Sequence, residues 1–288
     1  MSLSARGFVP GIVLAAAMTV SLPAPAACLT DAEVAVLYGA YMARQPSPNP
    51  LGLSADDAAC TRAKFNARLA STLGPVVGYK AGLTNPAVQK RFNATEPVWG
   101  MLYAPMMLKS GAAVDAAFGA RPVSEGDLLV RIGSESINQA RTPEQAMLAI
   151  DQVIPAIDLP DLMVEAPSKL DGAAVAAINV AARYFVVGTP IPADRKIELL
   201  DALPRMKVVV LGDGRDLDTG SGADVLGHPL NAVVWLAQDL QKHGLALKKG
   251  DLVSVGSFSK LLPPKPGMKV EVQYQGLPDN PIVSLTFH

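Results

Sequence analysis

Three carboxylates in two short segments carry the clearest chemistry in this chain. Glu125 and Asp127 lie in Arg121-Pro-Val-Ser-Glu-Gly-Asp-Leu-Leu-Val-Arg-Ile132, and Asp158 lies in Val153-Ile-Pro-Ala-Ile-Asp-Leu159. Both segments read as buried strands. Side chains at i and i+2 of a strand leave from the same face, so Glu125 and Asp127 would sit together. Two acids on an apolar face repel each other and lose hydration, and a third deepens the problem. A hard divalent cation with oxygen ligands resolves it. The alternative is that one or more of the three is a solvated surface acid.

A lysine is the other candidate. Gly78-Tyr-Lys-Ala-Gly-Leu-Thr84 places Lys80 between two glycines. Close backbone there could direct its ammonium into a cleft as an acid, a base or an anion clamp, although a lone lysine is more often solvated. Gly220-Ser-Gly-Ala-Asp-Val-Leu-Gly-His-Pro-Leu-Asn231 is a glycine-rich loop feeding a helix, with Pro229 suited to its first turn. A helix start of this kind can take an anion or be simply a turn and a cap, and His228 reads as structural. Asp213-Gly-Arg-Asp-Leu-Asp-Thr-Gly220 lacks the ligand order of a calcium loop. It reads as a hairpin turn with a glycine at positive φ.

The elements that must position these residues follow from periodicity. Thr30–Arg44 and Ser54–Leu73 read as amphipathic helices joined by the stiff Gln45-Pro-Ser-Pro-Asn-Pro50, the second capped by Ser54. Short apolar strands follow at 76–80, 98–102, 128–132, 153–159, 184–187, 207–211, 252–255, 269–274 and 282–287. Helices interrupt them at 86–92, 143–150, 173–177 and 230–243. Strands with scattered helices predict an α+β fold with a mixed, rolled sheet. The organisation expected is a signal peptide over 1–27, a helical cap over 28–75 and one catalytic domain over 76–288.

Composition narrows the partners. Of 288 residues, 50% are hydrophobic and 18% charged, and the formal net charge is −1. That excludes the clustered basic surface nucleic acid requires. Aromatics at 5% argue against a stacking platform for bases or sugars. Arg6, the apolar run Phe8–Val20 and the small residues of Ser21-Leu-Pro-Ala-Pro-Ala-Ala-Cys28 make an export signal, too short to span a membrane comfortably. Removing Arg6 takes the net charge from −1 to −2. The mature protein is expected to be exported, most simply to the periplasm. There the two cysteines, Cys28 and Cys60, are expected to pair as a disulfide.

Five collinear segments resemble those of the 2-keto-4-pentenoate hydratase branch of the fumarylacetoacetate hydrolase family. They are Gly78–Thr84, Glu125-x-Asp127, Pro155-Ala-Ile-Asp158, Leu226-Gly-His-Pro-Leu-Asn-Ala-Val-Val-Trp-Leu-Ala237 and Gly250-Asp-Leu-Val-Ser-Val-Gly256. The resemblance runs from about Leu29 to His288. It implies a rolled, barrel-like β-structure with a ligand cavity, and Mg²⁺ or Mn²⁺ held by Glu125, Asp127 and Asp158. It also implies a small 2-oxo acid chelated by that ion, and Lys80 as the proton-transfer or carboxylate-orienting group. A hydratase acting on a 2-oxo or 2-hydroxy-dienoate is the function implied. The sister decarboxylases and the carbon–carbon hydrolases are alternatives, and relatives assemble as symmetric oligomers.

The departures are specific. Two of the three acids are Asp where the branch has Glu, a loss of about 1.5 Å of reach each. The family's Asp-Asn-Ala-Ser stands here as Ile178-Asn179-Val180-Ala181, which removes a polar contact. Val255 replaces a Thr, with Ser257 nearby as a possible substrate-binding hydroxyl. These changes and the expected compartment also fit a catalytically degenerate exported protein that binds a small carboxylate.

Overall fold

The computed structural model describes Met1 and residues 28–288. The expected signal peptide lies outside the described residues. Two helices open the described chain, α1 (Asp31–Ala43) and α2 (Ala55–Leu73). Each begins in a reciprocal capping box, Thr30 with Glu33 and Ser54 with Asp57, which satisfies two of the orphan N–H groups at each start. A disulfide between Cys28 and Cys60 fastens the segment before α1 to the middle of α2.

The rest is β1 (Val76–Gly82), α3 (Pro86–Arg91), β2 (Val98–Tyr103), β3 (Met107–Lys109), β4 (Ala112–Val114), β5 (Glu125–Ile132), α4 (Pro143–Leu148) and β6 (Ile150–Leu159). There follow α5 (Gly172–Ala177), β7 (Tyr184–Val187), β8 (Ile191–Pro192), α6 (Lys196–Arg205), β9 (Lys207–Gly212) and β10 (Arg215–Ser221). The chain closes with α7 (Pro229–Lys242), β11 (Leu252–Ser254), β12 (Lys269–Gln275) and β13 (Ile282–Phe287).

The strands form two mixed sheets. One runs β2-β1-β11-β5-β6-β7-β3, with β8 on the outer end of β6, and the other runs β10-β9-β12-β13-β4. β1 and β11 are parallel, whereas β5 pairs antiparallel with both β11 and β6. The first sheet is covered on both sides. Leu128, Val130, Ile157 and Val186 pack toward the second sheet and α7. Leu129, Ile154, Ala156 and Phe185 pack toward α1 and α2 with Val34, Leu37, Phe65 and Leu69. Burial on both faces explains why its central strands read as near-continuous apolar runs rather than alternating ones.

The close approach of the sheets depends on Gly126. A Cβ there would stand 3.1 Å from Val208 and 3.2 Å from Val272, tighter than the neighbours allow without shifting. Tyr274 of β12 crosses the same gap. Its fully buried hydroxyl lies 2.6 Å from the Asp127 carbonyl and 2.5 Å from that of Ala156, joining the second sheet to the β5–β6 pair.

Most sequence-expected strands appear with longer ends, and the expected hairpin turns at Asp213 and Gly214, with residues 215–221 forming β10 where the turn was expected to run on to Gly220. Asp213 and Gly214 both have positive φ, at 51° and 75°. Four elements were absent from the sequence reading. β3, β4 and β8 span only two or three residues, too few for a period to show. α6 carries Pro204 one residue from its end, a residue that argues against a helix in sequence.

His228 is structural, as its sequence context indicates. It N-caps α7, its Nδ1 accepting from the Leu230 N–H at 3.1 Å while Nε2 lies 3.0 Å from the Leu200 carbonyl. Accepting at Nδ1 and donating at Nε2 fixes the neutral tautomer, and burial holds its pKa below 6.5. The unfolded imidazole therefore takes up a proton before the folded one. The contribution is complete above about pH 6.5 and is lost as pH falls through the folded value. Urea midpoints measured at pH 7.5 and 5.5 should fall more for the wild type than for His228→Asn, which keeps a capping side chain and cannot titrate.

Candidate functional site

The ladder register brings the candidate residues to one face. Lys80 of β1 pairs with Ser254 of β11, Ser254 with Leu129 of β5, and Leu129 with Ile154 of β6. Alternate residues share a face, so Lys80, Ser254, Asp127, Glu125 and Asp158 all project toward the side covered by α1 and α2. Glu125 lies directly opposite Asp158 across the antiparallel pair, the arrangement in which two Cβ atoms stand about 5 Å apart. Like charges there are destabilising unless something compensates.

Lys80 is the compensating group. Its Nζ lies 2.5 Å from Asp158 Oδ2, and both side chains are almost fully buried, at 4% and 0% exposed. The approach is badly angled for a hydrogen bond, so neither Asp158 oxygen has a properly oriented donor among the described residues. Burial works against the lysine's charge, but Asp158, Glu125 and Asp127 outweigh it and hold the ammonium above its ordinary pKa. Phe185, opposite Asp158 on β7, places its ring 5.7 Å from the same Nζ.

The acids titrate together. Burial, then the facing Asp158 charge, pushes Glu125 well above the usual carboxylate range. Burial and Asp158 likewise raise Asp127 to about 7, against the hydrogen bond from Ser254. Asp158 is raised by burial and pulled back by Lys80.

The three acids are not equivalent. Glu125 and Lys80 line a cavity of about 570 Å³. Asp127 is fully buried, and its carboxylate is taken up by three donors: the Ser254 hydroxyl at 2.6 Å, the Leu128 N–H at 2.6 Å and the Gly256 N–H at 3.2 Å. Its short arm therefore turns along the strand rather than into the cavity. Among the described residues no three acidic, histidine or cysteine side chains close around a common point. Ser257, expected as a substrate-binding hydroxyl, lines the cavity, but it also donates to the Ser259 carbonyl at 2.7 Å and accepts from the Ser259 N–H.

Two features of the cavity were not assigned from sequence. Thr84 is 2% exposed and lines the cavity, and its hydroxyl has no protein partner among the described residues. It lies against the Cα of Gly256, whose φ of 100° and lack of a Cβ make the contact possible. The signal was the Gly-Leu-Thr end of the lysine segment. The second is a left-handed turn at Asn179, Val180 and Ala181, with φ of 57°, 53° and 54°. Three consecutive non-glycine residues in this region are strained, most of all the β-branched Val180.

Asn179 holds that turn. Its Oδ1 accepts from the Met101 N–H at 2.7 Å and from Asn66 Nδ2 at 2.9 Å, and its Nδ2 donates to the Met101 carbonyl at 3.0 Å. The side chain thus takes the place of a strand partner for β2 and ties it to α2. Val180 and Ala181 are thereby presented as cavity wall.

This geometry has known counterparts. No family model matches the chain. It is 28% identical over 262 residues to 2-keto-4-pentenoate hydratase 2 of Dechloromonas aromatica, covering 90% of this chain and 97% of that one. It is 29% identical over 203 residues to a 4-oxalocrotonate decarboxylase of Pseudomonas putida, covering 70% and 75%. The fold superposes on 4-oxalocrotonate decarboxylase from Pseudomonas putida G7, complexed with magnesium and adipate, with a TM-score of 0.79 at 25% identity, over 91% of this chain and all of that one. The chain is thus similar to 2-keto-4-pentenoate hydratases and 4-oxalocrotonate decarboxylases, and it has the fold of the fumarylacetoacetate hydrolase family. A fumarylpyruvate hydrolase from Pseudomonas aeruginosa, in complex with Mn²⁺ and pyruvate, shares the fold at a TM-score of 0.55 and 15% identity, over 73% and 89% of the two chains.

Within the family fold, the cavity wall of this chain rests on one buried amide. Asn179→Ala leaves the Met101 N–H and carbonyl and the Asn66 amide without their partner, and releases a strained turn. A loss of about 2–3 kcal/mol is expected, measured as a lowered urea midpoint with an unchanged slope. A change below about 0.5 kcal/mol would show that the turn is held by packing alone.

Proposed function

We propose that the protein is a metal-dependent lyase acting on a small 2-oxo acid, most simply hydrating a 2-oxo or 2-hydroxy-dienoate. The observation that carries this reading is the charge imbalance of the buried site. Three carboxylates face one ammonium, and Asp158 keeps both oxygens buried without an aligned donor. A divalent cation balances that charge and uses those oxygens, so the residues fit such an ion. Glu125 and Asp158 would hold it, with Asp127 contributing charge from behind its hydrogen bonds. The related decarboxylase and hydrolase structures contain Mg²⁺ and Mn²⁺, which supports the same class of ion here. Bound there, the ion supplies Lewis-acid stabilisation of negative charge developing on the 2-oxo acid.

The chain's own residues do the rest. The ammonium of Lys80 gives an incoming carboxylate a partner in place of Asp158, or delivers a proton from Nζ. The unpartnered Thr84 hydroxyl orients the ligand by a hydrogen bond. Phe92, Leu162, Val175 and Val180 exclude water, which strengthens every charge interaction inside. Hydratase and decarboxylase differ in what leaves or adds to the charged intermediate, and both names occur among the relatives.

A second reading is favoured by one observation: Asp127 is engaged by Ser254 and backbone rather than facing the cavity. The protein would then bind a small carboxylate without turnover. Calorimetric titration of Mn²⁺, with and without oxalate, separates the two. Stoichiometric binding tightened by oxalate and abolished in Glu125→Gln is expected, and absence of Mn²⁺ binding would leave the carboxylate-binder reading. Lys80→Met should keep Mn²⁺ binding and lose about 10²–10⁴-fold in rate; unaltered turnover of a 2-oxo acid by that variant would remove Lys80 from the chemistry.

We also propose export to an oxidising compartment, supported by the N-terminal apolar run with its alanine-rich end and by the Cys28–Cys60 pair. The mature N-terminus, sequenced from the periplasmic fraction, should fall close to Cys28. Full-length protein confined to the cytoplasm would overturn this.

A further inference from the structure

A second cavity, of about 500 Å³, opens between α2, the start of β2, α5 and the C-terminal end of α7. Small apolar residues make its walls, among them Ala58, Ala59, Val98, Ala173 and Ala176. Arg62 borders it from α2. The arginine is only 6% exposed, and its guanidinium lies flat over Trp99 at 3.4 Å from the ring centroid. One of its N–H groups, on Nη1, donates to the Trp99 carbonyl at 3.2 Å.

No acceptor among the described residues meets its Nε or Nη2, yet neither atom is sealed from the cavity. The nearest acid, Asp239, is already engaged. Its Oδ2 accepts from the Trp99 indole N–H at 2.8 Å and its Oδ1 from Lys242 Nζ at 2.9 Å. The Asp239 charge favours the charged form of the guanidinium without hydrogen-bonding it, so the Nε and Nη2 edge is left open to an anion entering the cavity. Burial lowers its pKa only to about 10, so it stays charged at neutral pH.

We propose that this cavity is a binding site for a small monocarboxylate. Its carboxylate would be held by the free edge of Arg62, whose planar fork matches that shape. Its short alkyl body would rest on the alanine walls. Asp56 and Glu96 also line the cavity, and their charge disfavours ligands with several negative groups. The site is separate from the Lys80 cavity. It is linked to it through Asn66, one helical turn on, which donates to the Arg62 carbonyl at 3.0 Å and to Asn179 at 2.9 Å.

The test is a titration of carboxyl-¹³C butyrate into the purified protein, followed by NMR line broadening, for the wild type and three variants. Arg62→Met removes the fork, Ala59→Leu fills the cavity without touching the arginine, and Lys80→Met disables the other cavity. Saturable binding in the wild type and Lys80→Met, lost in Arg62→Met and Ala59→Leu, is the expected result. If Arg62→Met does not fold, Ala59→Leu and Lys80→Met decide. Binding that survives in a folded Arg62→Met or in Ala59→Leu, disappears in Lys80→Met, or is unsaturable in the wild type would overturn the assignment.

Discussion

The buried contact between Lys80 and Asp158 is the constraint on which the rest of the structure depends. One ammonium stands against three carboxylates, two of which face each other across a strand pair. Such a cluster is unfavourable in a dry interior, and much of the surrounding architecture limits that cost. β1 and β11 run parallel so that Lys80 and Ser254 arrive at the same level. Ser254 and two backbone N–H groups neutralise Asp127 by hydrogen bonding. Tyr274 pins the carbonyls of Asp127 and Ala156 from the far side of the sheet, which keeps β5 and β6 from drifting apart under repulsion.

The two faces of the first sheet divide the labour. The side packed on the second sheet and α7 is largely apolar, its polar contacts including the Tyr274 hydroxyl and the Trp99 indole N–H on Asp239, and it supplies cohesion. The side under α1 and α2 mixes apolar packing with the charged cluster, and it supplies chemistry. The cap is joined to this second side by polar contacts as well as apolar ones. Arg183 stacks on Tyr41 and donates to its carbonyl, and Asn66 reaches Asn179. The helices therefore do more than cover a surface, since Asn66 takes part in holding the cavity wall.

Much of this was legible in the sequence, for physical reasons that differ by residue. Thr30 and Ser54 announce their helices because capping is a local interaction between residues three apart. The i, i+2 spacing of Glu125 and Asp127 fixes a shared face because strand geometry has a period of two. Asp158 could be grouped with them as a further acid on an apolar strand, but its pairing opposite Glu125, and the place of Lys80 beside them, were implied only by the resemblance to a known family, because ladder register between distant strands has no local signature. The inequality of the acids was also invisible. The shortened side chain of Asp127 was noted, but that Ser254 and Gly256 would capture it depends on a strand 127 residues away. The lost polar residue in Ile178-Asn179-Val180-Ala181 was visible as a gap, whereas its left-handed turn is imposed by β2 and α2 and leaves no trace in composition.

Trp99 carries a spectroscopic consequence of this arrangement. Its ring lies beneath the Arg62 guanidinium and meets Tyr79 and His243 edge-on, with centroids 5.8 and 5.7 Å away. Tyr79 is the neighbour of Lys80 in β1. The indole thus borders the Arg62 cavity and meets, through Tyr79, the strand that carries Lys80, and the chain has only two tryptophans. With Trp235 replaced by Phe, its emission becomes a built-in optical gauge, sensitive to charge entering beside Arg62 and to movement of the strand that bears the active-site lysine.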